Sequence, residues 1–557
     1  MVQGTPISSV SKSREGGPPW LAISATLVAV AIALPIVVVA LNVLVPRAEV
    51  WRHLASTVLP EYVANTLLLA GGVGVVVCVT GVGCAWLTAM CRFPLARFFG
   101  WALILPLATP AYVMAYVYTD FLQFSGPLQS GLRALGGWRA GEYWFPDVRS
   151  LGGAVFVLAS VLYPYVYLLA RTAFLEQSAA ALETARMLGQ GPWASFARIA
   201  LPLARPGIVA GTALCLMEAL ADYGAVAYFG VDTFSTGIFR AWFSLGDPVA
   251  AAQLGALLLA GVAAVLILER LARGRAAYHA GPKKRELVYE LRGKRAAGAI
   301  AACSVPLLAG FVLPATLLLR LAVREPPGSM TERFLRLAWN SFTLAGAAAL
   351  LAVACALVIA YAMRLRPSTL TRWSSRVAGL GYAAPGVVIA VGVMVPLAVL
   401  DRWLAGLLSV LTGTTGSVPA ALALSGTLGA MLYAYLVRFL AVALQSVEAG
   451  LGRIRRSMDE AARSLGAGPA VTLARVHAPL LARSLVAAGL LVFVDVMKEL
   501  PATLALRPFG FDTLAVQTFN LAKDERLAEA SIPALAIVLV GLIPVYLLAR
   551  AAARSDG

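Results

Sequence analysis

Long apolar runs recur along the whole chain from Trp20 to the C-terminal region, and they restrict the fold more than any other feature. A bilayer core takes about 20 apolar residues per helical crossing, and about twelve such runs are present. The first half carries them at about 20–45, 61–90, 98–121, 151–170, 206–229 and 250–268. The second carries them at about 297–319, 340–363, 377–400, 417–437, 484–505 and 530–549. Only 13% of the residues are charged, against about 25% in a soluble domain, so the sequence predicts an all-α integral membrane protein.

The first run is too long for the apolar part of a signal peptide and is expected to stay as an anchor. Basic residues sort unevenly between alternate loops. With the N-terminus inside, the inner segments hold 30 of the 45 Lys and Arg and the outer ones 14, which predicts that both termini are cytoplasmic. The net charge of +17 is spread over short loops beside helix ends, so it does not suggest a nucleic-acid surface. The six cysteines include no C-x-x-C pair and read as small packing residues.

The chain repeats itself. ETARMLGQGPWASFARIALPL from Glu183 is matched by EAARSLGAGPAVTLARVHAPL from Glu460, an offset of 277. Asn65-Thr66 matches Asn340-Ser341 at 275, and Gly211 matches Gly489 at 278. Six spans per copy keep both copies in one orientation, giving parallel six-helix repeats at 1–280 and 281–557. A basic linker from Arg270 to Arg295 joins them, read as a cytoplasmic connection.

Within each repeated loop, at about 176–205 and 453–482, a helix-forming run ends at Gly189 or Gly466 and Gly-Pro follows at 191–192 or 468–469. Glycine past a helix end accepts the left-handed conformation, and proline suits the first turn of the next helix, so each loop should hold two short helices. Ser457 lies three residues before Glu460, a capping-box spacing. The first copy has Ala180 at that place, so capping does not account for Glu183, and docking accounts for both glutamates.

This pattern resembles the EAA loop of the binding-protein-dependent permeases of ATP-driven (ABC) importers. Glu183, Ala185, Gly189, Ile199 and Pro202 match in the first copy, and Glu460, Ala461, Ala462, Gly466 and Pro479 in the second; Thr184, Val476 and Ala478 depart from the pattern. The resemblance implies the type I importer permease fold, with each loop seating on one of two ATPase subunits that hold ATP and Mg. It also implies the bacterial inner membrane. No G-x-x-x-x-G-K-[ST] phosphate loop is present, so no cofactor or catalytic residue is expected on this chain.

After each loop the apolar run carries charges: Glu218 and Asp222 in the first copy, Asp495, Lys498 and Glu499 in the second. Both acidic pairs are four residues apart, placing them on one helix face if the helix is continuous. A charge at mid-bilayer costs about 2.5–3.5 kcal/mol, so these residues are expected to line a watery pathway, as a gate or as a lock between the halves. Asp495 and Lys498 are spaced for an intrahelical pair that would leave Glu499 for a partner on the other half, and Pro501 should bend the helix.

The segments ADYGAVAYFGVDTFSTGIF from Ala221 and VMKELPATLALRPFGFDTLA from Val496 resemble the iron(III) branch of these permeases, in its fused double-length form. That resemblance implies ferric iron delivered by a periplasmic binding protein, with thiamine, polyamine or phosphonate as alternatives. His53, His279 and His477 read as loop residues, and no metal-ligand cluster has the right spacing. No nucleophile–base grouping suggests an enzyme. A proton-coupled carrier remains the rival class, since intramembrane carboxylates suit proton relays although such carriers do not need twin docking loops.

Overall fold

In the computed structural model the described residues are 19–139, 141–176, 187, 189, 191–273, 289–324, 331–412 and 424–555. Eleven described helices are long and apolar enough to cross a membrane, or twelve if one bent pair counts as a span. In the first half the helices that matter below are α1 (Pro19–Leu41), α2 (Leu59–Met90), α3 (Ala96–Ala102), α4 (Ala111–Leu122), α5 (Leu151–Leu175) and α6 (Leu201–Ala221). After α6 come two short helices, α7 (Gly224–Tyr228) and α8 (Phe234–Phe239), and then α9 (Pro248–Arg273).

The second half holds α10 (Lys294–Leu307), α11 (Leu313–Arg324), α12 (Thr331–Leu365), α13 (Thr369–Ala378), α14 (Gly386–Thr412) and α15 (Leu428–Gly452). It continues with α16 (Arg456–Ser464), α17 (Ala478–Lys498), α18 (Pro501–Leu506), α19 (Leu514–Lys523) and α20 (Leu527–Ser555). Side-chain caps set several of the starts. Ser150 accepts the Gly153 N–H at the head of α5, Ser368 and Thr371 form a capping box on α13, and Thr427 caps α15.

Four sequence-based spans are corrected. The 98–121 run is a pair of helical segments bent by 94° between Ala108 and Ala111, because Pro110 has no N–H to continue the ladder. The 206–229 and 484–505 runs stop at Ala221 and Lys498, where the chain becomes extended. The 417–437 run is displaced: its helix is 428–452, and 413–423 lie outside the described residues. Apolarity marks what can be buried, whereas helix ends follow caps and prolines, so the two disagree wherever a cap lies inside an apolar run.

The first helix of each half packs on the opposite half. α1 lies against α12, α13 and α14, whereas α10 lies against α2 and α3, and α11 against α4. The residues just before α10 pair as a two-residue parallel bridge, Cys91 with Tyr289 and Arg92 with Glu290. Gly541 in α20 lets the last helix approach the bend of the first half, since a β-carbon there would sit 2.5 Å from the Ala108 carbonyl oxygen.

Candidate functional site

The two halves break their fifth helix at the same place and repair it by the same device. α6 ends at Ala221 and α17 at Lys498, and the next residues, Asp222 and Glu499, are extended with φ −67° in both. Each break exposes N–H groups of the short helix that follows, and an unsatisfied N–H within a membrane costs several kcal/mol. Asp222 Oδ1 accepts the N–H groups of Ala225 and Val226 at 3.0 and 3.1 Å. Glu499 accepts those of Ala502 and Thr503, each at 2.9 Å, and the Thr503 hydroxyl at 2.6 Å. The second half has Pro501 at the break and the first has Gly224, so proline is not what makes it.

Asp222 and Glu499 therefore do not share one continuous helix face with Glu218 and Asp495. All five sequence-selected charges nevertheless line one cavity of about 170 Å³ at the junction of the halves, together with Tyr165, Tyr382 and Arg438. Lys498 donates to the Leu107 carbonyl at 2.8 Å, a carbonyl next to the bend in the first half. Asp495 and Lys498 act on each other electrostatically, and the lysine adds a hydrogen bond across the halves. Glu499 takes its ion pair from its own half, Arg438 Nη1 lying 3.3 Å from Glu499 Oε1. Arg438 Nη2 also lies 3.9 Å from Glu218 Oε2 on the other half.

Sequence reasoning missed Arg438. The apolar run ends at 437, which placed the arginine in a loop, whereas α15 continues to Gly452 and carries it inside the membrane. The signal lay in the pairing rule: four intramembrane carboxylates with a single lysine require another cation.

The second site is the pair of repeated loops. Gly189 and Gly466 both have positive φ, +74° and +77°, as their position past a helix end requires. In the second copy α16 carries Glu460, Ala461 and Ala462, the last of them buried, and Pro479 opens α17. Ser457 is the second residue of α16, behind the cap position Arg455, so the expected capping box does not form. In the first copy Gly189 is described and Pro202 lies at the start of α6, while Glu183 and Ala185 lie outside the described residues.

The base of the second loop is charged. Asp459 Oδ2 accepts Arg364 Nε and Nη2 at 3.0 and 2.9 Å, and its Oδ1 lies 2.5 Å from His477 Nε2. Arg364 also donates to the carbonyls of Leu451 and Ile454, and Tyr361 to that of Pro469. His477 is fully buried in the helical segment leading into α17, not in a loop as its sequence context suggested. The base of the first loop is aromatic, with Trp86 packed against Phe196, Phe174 and Tyr289 at centroid distances of 4.8, 5.5 and 5.9 Å.

The matched pairs Asn65-Thr66 and Asn340-Ser341 tie α2 and α12 to the segments beyond the helix breaks. Asn65 donates to the Asp232 carbonyl and Asn340 to that of Asp512, at 2.9 and 3.1 Å. Thr66 and Ser341 accept the N–H groups of Phe234 and Leu514. An outer ion pair accompanies each tie, Arg240 with Asp232 and Arg507 with Asp512. Among the described residues no three His, Cys, Asp or Glu side chains converge as a metal site.

Comparison with known proteins places these features among transporters. The family model described as binding-protein-dependent transport system inner membrane component matches residues 79–276. The Fe(3+)-transport system permease protein FbpB 2 of Haemophilus influenzae is 27% identical, the match covering 96% of this chain and 98% of that protein. A putative 2-aminoethylphosphonate transport system permease protein, PhnV of Salmonella paratyphi A, is 29% identical over 48% of this chain and 98% of its own length. The molybdenum transport system permease protein ModB of Azotobacter vinelandii is 31% identical over 30% of this chain and 70% of its own. None of these supports the proton-coupled carrier.

Proposed function

The chain belongs to the inner-membrane components of binding-protein-dependent transport systems, and from that premise we propose that it is the permease of a ferric iron importer driven by a separate ATPase. The observation that carries the iron reading is the full-length match to a double-length ferric permease, 96% of one chain against 98% of the other. The cavity adds support, since its charged lining is four carboxylates against one arginine and one lysine, an excess that favours a cation.

Two ATPase subunits, holding ATP and Mg, dock on the loops through Glu183, Ala185, Gly189 and Pro202 in one copy and Glu460, Ala461, Ala462, Gly466 and Pro479 in the other. A periplasmic binding protein delivers the solute to the opposite face, and both termini lie in the cytoplasm. The repeats divide at about residue 280, each half supplying one broken helix to the pathway. Glu218, Asp495 and Lys498 line that pathway, while Asp222 and Glu499 hold its walls in shape by capping α7 and α18.

The test is ferric ion uptake into vesicles that contain the chain, its ATPase and the candidate binding protein. Uptake that requires both ATP and the binding protein is the expected result. An assembled complex that hydrolyses ATP but moves no ferric ion would refute the cargo and leave thiamine, polyamine and phosphonate to be assayed. Charge reversal at Glu183 and Glu460 is expected to abolish assembly and uptake together, and normal assembly, uptake and hydrolysis would refute docking there.

A further inference from the structure

We infer that Arg438 is the resident cation of the pathway, occupying carboxylates that a cationic solute takes in its turn. This rests on the cation-importer reading above and assigns the residue that closes the path in the absence of cargo. The guanidinium is held unequally. Toward Glu499 it is 3.3 Å away, and that carboxylate already has two backbone N–H groups and a hydroxyl. Arg438 therefore supplies Glu499 with charge more than with hydrogen bonds. Toward Glu218 the gap is 3.9 Å, and the Glu218 side chain is 30% exposed on the far side of the junction.

A cation entering between the halves meets Glu218 before Glu499, because Glu218 is the more exposed of the two and the more loosely paired. As it binds there the arginine loses Glu218, its one ion-pair partner across the junction among the described residues, and is left with Glu499 in its own half, so the bridge opens. When the cation leaves, the unpaired carboxylate draws the guanidinium back. Glu218 is part-buried among three other carboxylates of the lining, so it is paired in turn by the arginine or by the entering cation.

The fold reserves space for this arrangement. Gly386, at the head of α14, stands where a β-carbon would collide with both the Arg438 guanidinium and the Glu499 carboxylate. Alanine at that position pushes the guanidinium and the Glu499 carboxylate apart while leaving every charge in place, which separates the arrangement of the pair from its presence.

The test uses the whole complex in vesicles, with ferric ion uptake and hydrolysis without binding protein as the two readouts. Arg438→Gln is expected to lower uptake about tenfold and to raise unstimulated hydrolysis severalfold, because the closed state loses its bridge. Arg438→Lys keeps the cation but not the fork that reaches both carboxylates, and it is expected to fall between the parent and Arg438→Gln, as is Gly386→Ala. Unstimulated hydrolysis and uptake both unchanged in Arg438→Gln would overturn the inference. So would Arg438→Lys as impaired as Arg438→Gln in an assembled complex, since packing and not charge would then be at work. If the parent complex moves no ferric ion, the cargo reading fails, and the hydrolysis readout still decides whether Arg438 is the latch.

Discussion

The two repeated loops share 11 of 21 residues, and their bases are built from different chemistry. At the position shared by Trp86 and Tyr361, the first half packs an aromatic cluster, whereas the second donates a hydrogen bond to the Pro469 carbonyl beside the Arg364–Asp459 ion pair. Ala200 and His477 occupy the same place in the two copies, so the partner that Asp459 uses has no counterpart in the first. Tilted and edge-on ring packing is tolerant of small slides, whereas the Arg364 fork fixes Asp459 and two carbonyls in direction as well as distance. Duplication has preserved the left-handed glycine of the loop, and not the means of holding its base.

The largest effect should come from Trp86→Ala, which removes a ring packed against three others and is expected to cost about 3–5 kcal/mol, read as thermal unfolding of the detergent-solubilised chain. A loss below about 1 kcal/mol would mean that the aromatic cluster is not the anchor of the first loop. Next comes Arg364→Ala, expected to cost about 3 kcal/mol because it leaves the part-buried Asp459 with His477 alone and frees two carbonyls; adding Asp459→Ala should recover part of that loss. Strict additivity of the two substitutions would break the contrast between an ionic and an aromatic base. Smallest are Asn65→Ala and Asn340→Ala, each expected to cost about 1 kcal/mol and to differ by less than about 0.5. These ties are alike in both halves, so a large difference between them would show that the asymmetry extends beyond the loop bases.

Much of this was legible in the residues. Glu218, Asp222, Asp495, Lys498 and Glu499 stood out because charges are rare in apolar runs, and all five line one cavity. Gly189 and Gly466 announced their left-handed turns, since glycine before Gly-Pro has few other uses. The ends of the broken helices were not legible. Asp222 and Glu499 looked like members of helix faces, because a carboxylate capping the next short helix has the same spacing as one on the face of a continuous helix. Arg438 was hidden by a run boundary drawn from hydropathy, and Asp459 by a partner, His477, that lies 18 residues along the chain and one helix away.

The sequence by itself determined that this chain crosses a membrane many times, that one stretch of it recurs at an offset of 277, and that the repeated loops and the charges after them stand at matched positions. Apolar length, repeat offset and glycine placement are local properties, and each has one physical reading inside a bilayer. Only the tertiary structure decided which charges face each other, that the first helix of each half packs on the other half, and that Lys498 reaches a carbonyl freed by a bend nearly 400 residues earlier. Such partners are chosen by packing between elements distant in the chain, and no local pattern encodes the distance between two side chains that meet only when both halves are folded.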